Sequence, residues 1–165
     1  MERTMRRNDR QLPIEECLTL LKKADHGVLS VVGDEGWPYA VPVNYVELDG
    51  KLYIHGAAAG YKLEAISRDD RVCFTVIART EVLPTQITAT YESVIVKGRA
   101  HLVEEQEERQ LVLDRFVDAL CQVTPEVHAR YVEKFGPKTA LIRITPEVIT
   151  GKAARNPTPI EDRLR

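Results

Sequence analysis

Aromatic residues are scarce in this chain, at 6% with a single tryptophan, and only three cysteines occur in 165 residues. Cys17, Cys73 and Cys121 are odd in number and widely spaced. That pattern argues against a disulfide framework and predicts buried free thiols in a reducing cytoplasm. No apolar run approaches the roughly 18 residues of a membrane-spanning helix. The opening MERTMRRNDRQ has basic residues with no hydrophobic core after them, so it does not read as a secretory signal. A formal charge of −2 leaves no global basic field to recruit nucleic acid or an acidic membrane surface. Histidines stand singly at 26, 55, 101 and 128; with no His/Cys cluster at ligand spacing, no metal site is assigned. Neither phosphate-binding glycine fingerprint, G-x-G-x-x-G or G-x-x-x-x-G-K-[ST], is present. Internal repeats and low-complexity tracts are absent too.

What is present suffices for one domain with a real core. The expected division is a charged N-terminal arm over 1–11, a folded domain over 12–152 and a proline-rich tail over 153–165. Pro13 suits the first turn of a helix, and Ile14, Cys17, Leu18 and Leu21 recur at helical spacing to about Ala24. His26-Gly27 ends it, with His26 capping. Strands follow at 27–32 and 37–47, joined by the turn Gly33–Gly36. Asp49-Gly50 is a strong hairpin signal returning the chain through Leu52–His55. Val72, Phe74 and Val76 share one face of a strand over 71–77. The stretch 78–90, with Pro84 and several threonines, reads as an irregular surface crossing. Another strand covers 91–100, where Gly98 suggests a bulge or a close backbone approach. Helices are expected over 104–120 and after Thr124-Pro125, the latter with a threonine cap and closed by Gly136-Pro137. A last strand spans 139–144. Antiparallel strands joined by hairpins, with helices inserted, predict a mainly β fold: an antiparallel β-barrel with flanking helices, and no parallel nucleotide-binding sheet.

The stretch with chemistry in it is Gly56-Ala57-Ala58-Ala59-Gly60, followed by Tyr61 and Lys62 at the start of a helix over 61–67. Small residues leave backbone N–H groups approachable, and a helix N-terminus beside a lysine suits an anion such as phosphate. The plainer alternative is a connecting loop with a solvated Lys62. Similar pairs of readings stand elsewhere. Pro42 either marks a sheet edge or breaks the ladder where a ligand intrudes. Trp37 either walls a pocket or pins its hairpin. Tyr45 and Tyr53 read as barrel packing with a hydroxyl at the rim.

The combination WPYAVPVNYV…DGKLYIHGAAAGYKLEAISRDDRVCFTVI resembles the pyridoxamine-phosphate-oxidase-like FMN-binding split barrels, and more narrowly their nitroimidazole-resistance branch. MRRNDRQLPIEECLTLL, YESVIVKGRAHLV and ITGKAA are similar to that branch as well, so the resemblance spans about Met5–Ala154. It implies a split-barrel homodimer with FMN at the subunit interface. It also implies that Tyr39, Ala40, Val41, Pro42, Val43 and Asn44 face the isoalloxazine ring and ribityl chain. Ile54 and His55, with Gly56 and Ala57, would approach the ribityl and phosphate region. Lys62 matches the family's phosphate-binding lysine, and Ser93 stands where relatives place a polar group near the flavin. Many relatives carry Gly-His-Lys where this chain has Gly60-Tyr61-Lys62. Tyr61, a neutral phenol at working pH, is the candidate catalytic group in place of that histidine.

The activity implied is an FMN-dependent, nitroreductase-like oxidoreductase acting on a small electron-poor substrate, a nitroaromatic or a quinone, with NAD(P)H as a donor. The flavin carries the redox chemistry and the protein binds and orients it. A non-catalytic flavin carrier or sensor is the alternative, and a haem-binding split barrel, with a ligand from His128 or the tail, is another. Pyridoxamine-phosphate oxidation itself is disfavoured, because Tyr39 and Tyr61 stand where that enzyme's phosphate-seat arginines are expected.

Overall fold

Asp49 and Gly50 both take positive φ, 50° and 76°, the pair of left-handed conformations that a type I′ hairpin turn requires. This turn joins β3 (Pro38–Leu48) to β4 (Lys51–Ala57) in the computed structural model, which describes residues 4–165. The other strands are β1 (Gln11–Leu12), β2 (His26–Val32), β5 (Arg71–Leu83), β6 (Thr88–Leu102) and β7 (Thr139–Ala154). Helices α1 (Ile14–Lys23), α2 (Tyr61–Arg68), α3 (Gln106–Leu120), α4 (Pro125–Phe135) and α5 (Ile160–Arg163) are inserted between and after them.

All pairings are antiparallel, in the order β1-β7-β4-β3-β2-β5-β6, and β6 pairs back onto β7 to close a barrel. Period-2 patterning decides what fills it. Leu29, Ile54, Phe74, Val76, Val94, Val96 and Ile144 point inward and are fully buried. Tyr45 joins them, stacking edge-on against Phe74 and donating its hydroxyl to the Leu21 carbonyl at 2.6 Å. Helix α1 plugs one end through Cys17 and Leu21. Outside the barrel, α3 covers a second cluster in which Val112 and Phe116 meet Val46, Tyr53 and Leu141. Glu105 caps α3 by accepting from the Glu107 and Glu108 N–H groups. Glu108 receives the Tyr53 hydroxyl at 2.7 Å and Arg143 at 2.8 Å.

Long-range pairing overrides local signals in several places. The stretch 78–90 is not irregular: β5 and β6 continue as a two-stranded arm to a short turn at Pro84–Gln86, after a register shift between Ile77 and Arg79. Nor does the last strand stop at Ile144, because Pro146 falls at the irregularity opposite Gly98, where a missing proline N–H costs no ladder bond. A Cβ on Gly98 would collide with the Thr145 carbonyl, so this glycine marks a close backbone approach. His26 opens β2 and contacts Asp25 instead of capping α1, whose C-cap is Ala24. Thr124 occupies the N-cap of α4 without a side-chain cap bond. Of the cysteines only Cys17 is buried; Cys73 lies half-buried on an outward strand position and Cys121 is exposed past the end of α3. Tyr45 packs inside the barrel with its hydroxyl at the end plugged by α1, whereas Tyr53 lies outside the barrel core beneath α3. The arm reaches β7 through Gln11 and Leu12, while residues 1–3 of it lie outside the described residues. In the tail, Ala153 and Ala154 belong to β7, and the start of α5 binds the Gln86 side chain through the Ile160 N–H.

Candidate functional site

Strands β3 and β4 are hydrogen-bonded only near their turn, where 45–48 pair with 51–54. Beyond it they part. Residues Pro38–Asn44 of β3 pair with β2 alone, and His55–Ala57 of β4 pair with β7 alone. A fork opens between two strand edges. Pro42, which has no N–H to offer, lies on the free edge of β3, so the sheet-edge reading and the ladder-break reading describe one feature.

Helix α2 begins at the mouth of this fork. Gly60, at φ 141°, occupies a conformation that residues with a Cβ rarely adopt, and turns the chain from the end of β4 into the helix. That turn folds Lys62 back over β4. A Cβ at Gly56 would stand 3.0 Å from the Lys62 Nζ, so the glycine makes room for the ammonium. Among the described residues no carboxylate pairs with Lys62. The small residues Ala57–Gly60 are exposed and keep the backbone accessible beside it. His55 is next in line: its ring meets Phe116 edge-on with centroids 4.5 Å apart, while another edge stays open to solvent. Burial against that ring, and then the Lys62 charge, lower the His55 pKa below the ordinary histidine value, which favours the neutral imidazole. Beyond His55 an apolar cavity of about 340 Å³ runs between α3 and α4, walled by Phe116, Val117, Leu120, Val127 and Tyr131.

Strand alternation divides the other candidates. Tyr39, Val41 and Val43 turn toward the barrel core, whereas Ala40, Pro42 and Asn44 are exposed on the outer face. The outer side chains face away from the barrel, while the free edge of residues 38–44 leaves backbone groups of the whole run unpaired on the fork side. Ile54 is wholly buried and supports the site from inside. Asn44 donates to the Asp25 carbonyl at 3.2 Å. Ser93 lies on β6 across from Lys152 of β7, away from the fork.

Tyr61 is held in place. Its hydroxyl accepts the Asp34 N–H at 2.6 Å, its ring packs edge-on against Tyr39 at 4.8 Å, and Arg68 lies 6.0 Å from the ring centroid while also binding Asp34. These contacts strap α2, and with it Lys62, to the β2–β3 turn. Trp37 is 74% exposed, and its carbonyl pins the turn by accepting the Gly33 N–H at 2.7 Å. The sequence pattern assigns Phe116 to a helix core, and nothing in it signals the contact with His55. Nor does it signal Asp34, which donates its N–H to Tyr61 and accepts from Arg68 through its carboxylate.

The arrangement fits a phosphate-bearing ligand: an unpaired ammonium, a side-chain-poor loop and a neighbouring imidazole share one opening, and charge-assisted hydrogen bonds are the strong ones. Comparison with known proteins agrees with the fold. Solved structures superpose over most of their length. One from Bacteroides thetaiotaomicron, described as a candidate 5-nitroimidazole antibiotic resistance protein, is 22% identical with TM-score 0.72, over 87% of this chain and 86% of that one. A FAD-binding protein from Mesorhizobium loti is 26% identical with TM-score 0.66, over 88% and 98%. A FAD- and haem-binding protein from Mycobacterium smegmatis is 19% identical with TM-score 0.70, over 94% and 78%. No curated protein matches the sequence. The family described as pyridoxamine 5'-phosphate oxidase matches residues 13–153, and with its closed antiparallel barrel and forked β3–β4 pair the chain belongs to that family and has its split-barrel fold.

Proposed function

We propose that this protein is a flavin-dependent oxidoreductase that binds FMN at the β3–β4 fork and reduces a small electron-poor molecule, a nitroaromatic or a quinone. The observation that carries the reading is the unpaired Lys62 ammonium folded over Gly56. A flavin mononucleotide phosphate, close to a dianion, would accept from Lys62 and from N–H groups of 57–60. His55 would approach from β4 as a neutral donor. The exposed positions Ala40, Pro42 and Asn44 would offer a flat, partly apolar wall to the ring system. Bound flavin supplies the electron-transfer chemistry. The chain's own residues bind the phosphate, orient the ring and hold the loop; Tyr61, with its hydroxyl already engaged by Asp34, acts through position.

The reading includes a homodimer. Val28, Thr75, Ile77 and Ile95 lie on the outer face of β2, β5 and β6, with Ile77 59% exposed. A second copy covering this face would shelter the flavin ring from water. Purified protein should be yellow and take up added FMN, and size measurement should give a dimer. In an anaerobic assay, NADH or NADPH should bleach the bound flavin, and a nitroaromatic or quinone acceptor should restore its colour. Colourless protein that takes up no FMN rejects the proposal. Flavin that binds but is never reduced by either nucleotide leaves only the carrier or sensor alternative.

A further inference from the structure

A second cationic cluster lies far from the fork. Arg10, in the turn before β1, donates to the Tyr91 hydroxyl at 3.2 Å, and the Lys152 ammonium lies 5.8 Å from the centre of the same ring. All three side chains are half-buried. Register explains the convergence: Gln11 pairs with Lys152, and Lys152 pairs with Ser93, so one row crosses β1, β7 and β6 on the outer face. Tyr91 stands two residues before Ser93 on that face. The carboxylates close by are already taken. Glu92 and Glu16 both bind Arg155, and Asp9 binds Arg7. Among the described residues neither Arg10 nor Lys152 has a carboxylate partner. Gln11, next to Arg10 in sequence and paired with Lys152, also lines a hollow of about 460 Å³ whose other walls are Thr4, Met5, Ile95, Lys97, Val148 and Thr150; the three cluster side chains themselves lie outside it.

We propose that Arg10, Tyr91 and Lys152 form a binding site for the oxyanion of a small molecule, a carboxylate or a phosphate group, whose body extends past Gln11 toward the hollow. Two half-buried cations that converge on one tyrosine ring, with no carboxylate partner among the described residues, gain from an anion that joins them. The planar guanidinium supplies paired donors for a carboxylate or phosphate, the ammonium supplies a point charge, and the phenol adds a neutral hydrogen bond. The ionisation of Tyr91 agrees: burial raises its pKa, but the Arg10 hydrogen bond and the charges of Lys152 and Arg10 outweigh that and leave it below the ordinary tyrosine value. This site and Lys62 cannot grip one small ligand within a single protomer. Lys62 lies over Gly56, opposite Ala140 at the start of β7, and Lys152 is near the other end of that strand. The separation is roughly 40 Å of strand contour at about 3.3 Å per residue. The oxyanion is therefore either a carboxylate on a separate small molecule or a phosphate on a cofactor held mainly by a second copy.

The test uses the full chain as purified, with inorganic phosphate and benzoate as probes. Phenolate absorbance followed against pH should show one tyrosine ionising before the others, and Tyr91→Phe should remove that step. Either anion should push the step to higher pH, because a bound negative charge opposes the phenolate. Lys152→Met, which keeps the apolar stem, should weaken that response by about tenfold or more, as for a lost hydrogen bond to a charged group. Arg10→Gln provides a second variant should the first fold poorly. Competition by benzoate with FMN affinity unchanged in Lys152→Met identifies the carboxylate of a separate molecule. A fall in FMN affinity with riboflavin affinity unchanged identifies a cofactor phosphate. A Tyr91 step that neither anion moves, with the FMN-to-riboflavin ratio also unchanged in the variants, overturns the proposal. The titration does not require flavin, so colourless protein would defeat the flavin reading and leave this one standing.

Discussion

The two ends of β7 each lie beside positive charge that no carboxylate pairs among the described residues, built by opposite routes. At the Lys62 end the parts are neighbours in sequence: Gly56 and Lys62 belong to one strand–loop–helix passage. At the Lys152 end the parts come from an N-terminal turn, a central strand and the last strand, with Arg10 and Tyr91 81 positions apart. A local site needs only the correct turn, whereas an assembled site needs the barrel closed in register. The first should therefore survive damage that abolishes the second, and each should answer to its own substitutions.

The largest expected effect falls on the closure that both sites share. Gly98→Val places a branched side chain against the Thr145 carbonyl at the β6–β7 irregularity. It should cost about 3 kcal/mol or more, as overpacking against backbone does. Denaturant unfolding measures it, and the Tyr91 response to phosphate should disappear before FMN binding does. If both vanish together, the contrast between a local and an assembled site is wrong.

Next comes Lys62→Ala, which should weaken FMN by about 1.5–3 kcal/mol, the range for hydrogen bonds to charged groups. Riboflavin, lacking the phosphate, should bind the variant and the parent alike. The response of Tyr91 to benzoate should not change. Equal losses for FMN and riboflavin would place the phosphate elsewhere.

Tyr61→Phe removes the acceptor of the Asp34 N–H while keeping the ring against Tyr39. A loss of about 0.5–1.5 kcal/mol in stability is expected, with the catalytic rate of the flavin-loaded protein nearly unchanged. A collapse of rate at constant stability and constant FMN affinity would instead make this phenol the proton donor.

The smallest effect concerns pH. Burial and Lys62 depress the His55 pKa, so the folded state takes up this proton less readily than the unfolded chain. Stability should be flat above about pH 6.5, the unfolded value, and fall as pH drops below it. His55→Gln should flatten that slope when unfolding midpoints are compared across the same range. Bound phosphate at Lys62 should flatten it as well, by cancelling the charge that opposes protonation. An unchanged slope with FMN bound would separate His55 from the cofactor.

Legibility follows the same division. The Asp49-Gly50 turn, the inward row Val72, Phe74 and Val76, and the close approach at Gly98 are all readable from residue type and spacing, and the structure contains each of them. So is helix α2, expected over 61–67 and found over Tyr61–Arg68. The six-residue run Tyr39–Asn44 illustrates the limit. Resemblance assigns it whole to a ligand, and strand alternation divides the side chains, with Tyr39, Val41 and Val43 packed against the core and Ala40, Pro42 and Asn44 outward. The arm of β5 and β6 past Ile77 was hidden because threonines and Pro84 read as a loop. Its strands form through pairing with each other, after a shift in register that no local signal announces.

By itself the sequence determined the turns, the strand faces and the small-residue loop leading into the lysine-bearing helix, because positive φ, period-2 alternation and helix entry depend on residues a few positions apart. Only the tertiary structure decided which strands share an edge, where β3 and β4 part, how Tyr61 is strapped to Asp34, and that Arg10, Tyr91 and Lys152 meet. Those outcomes hang on long-range register, which is chosen by burying the whole inner face at once and leaves no mark on any single stretch of chain.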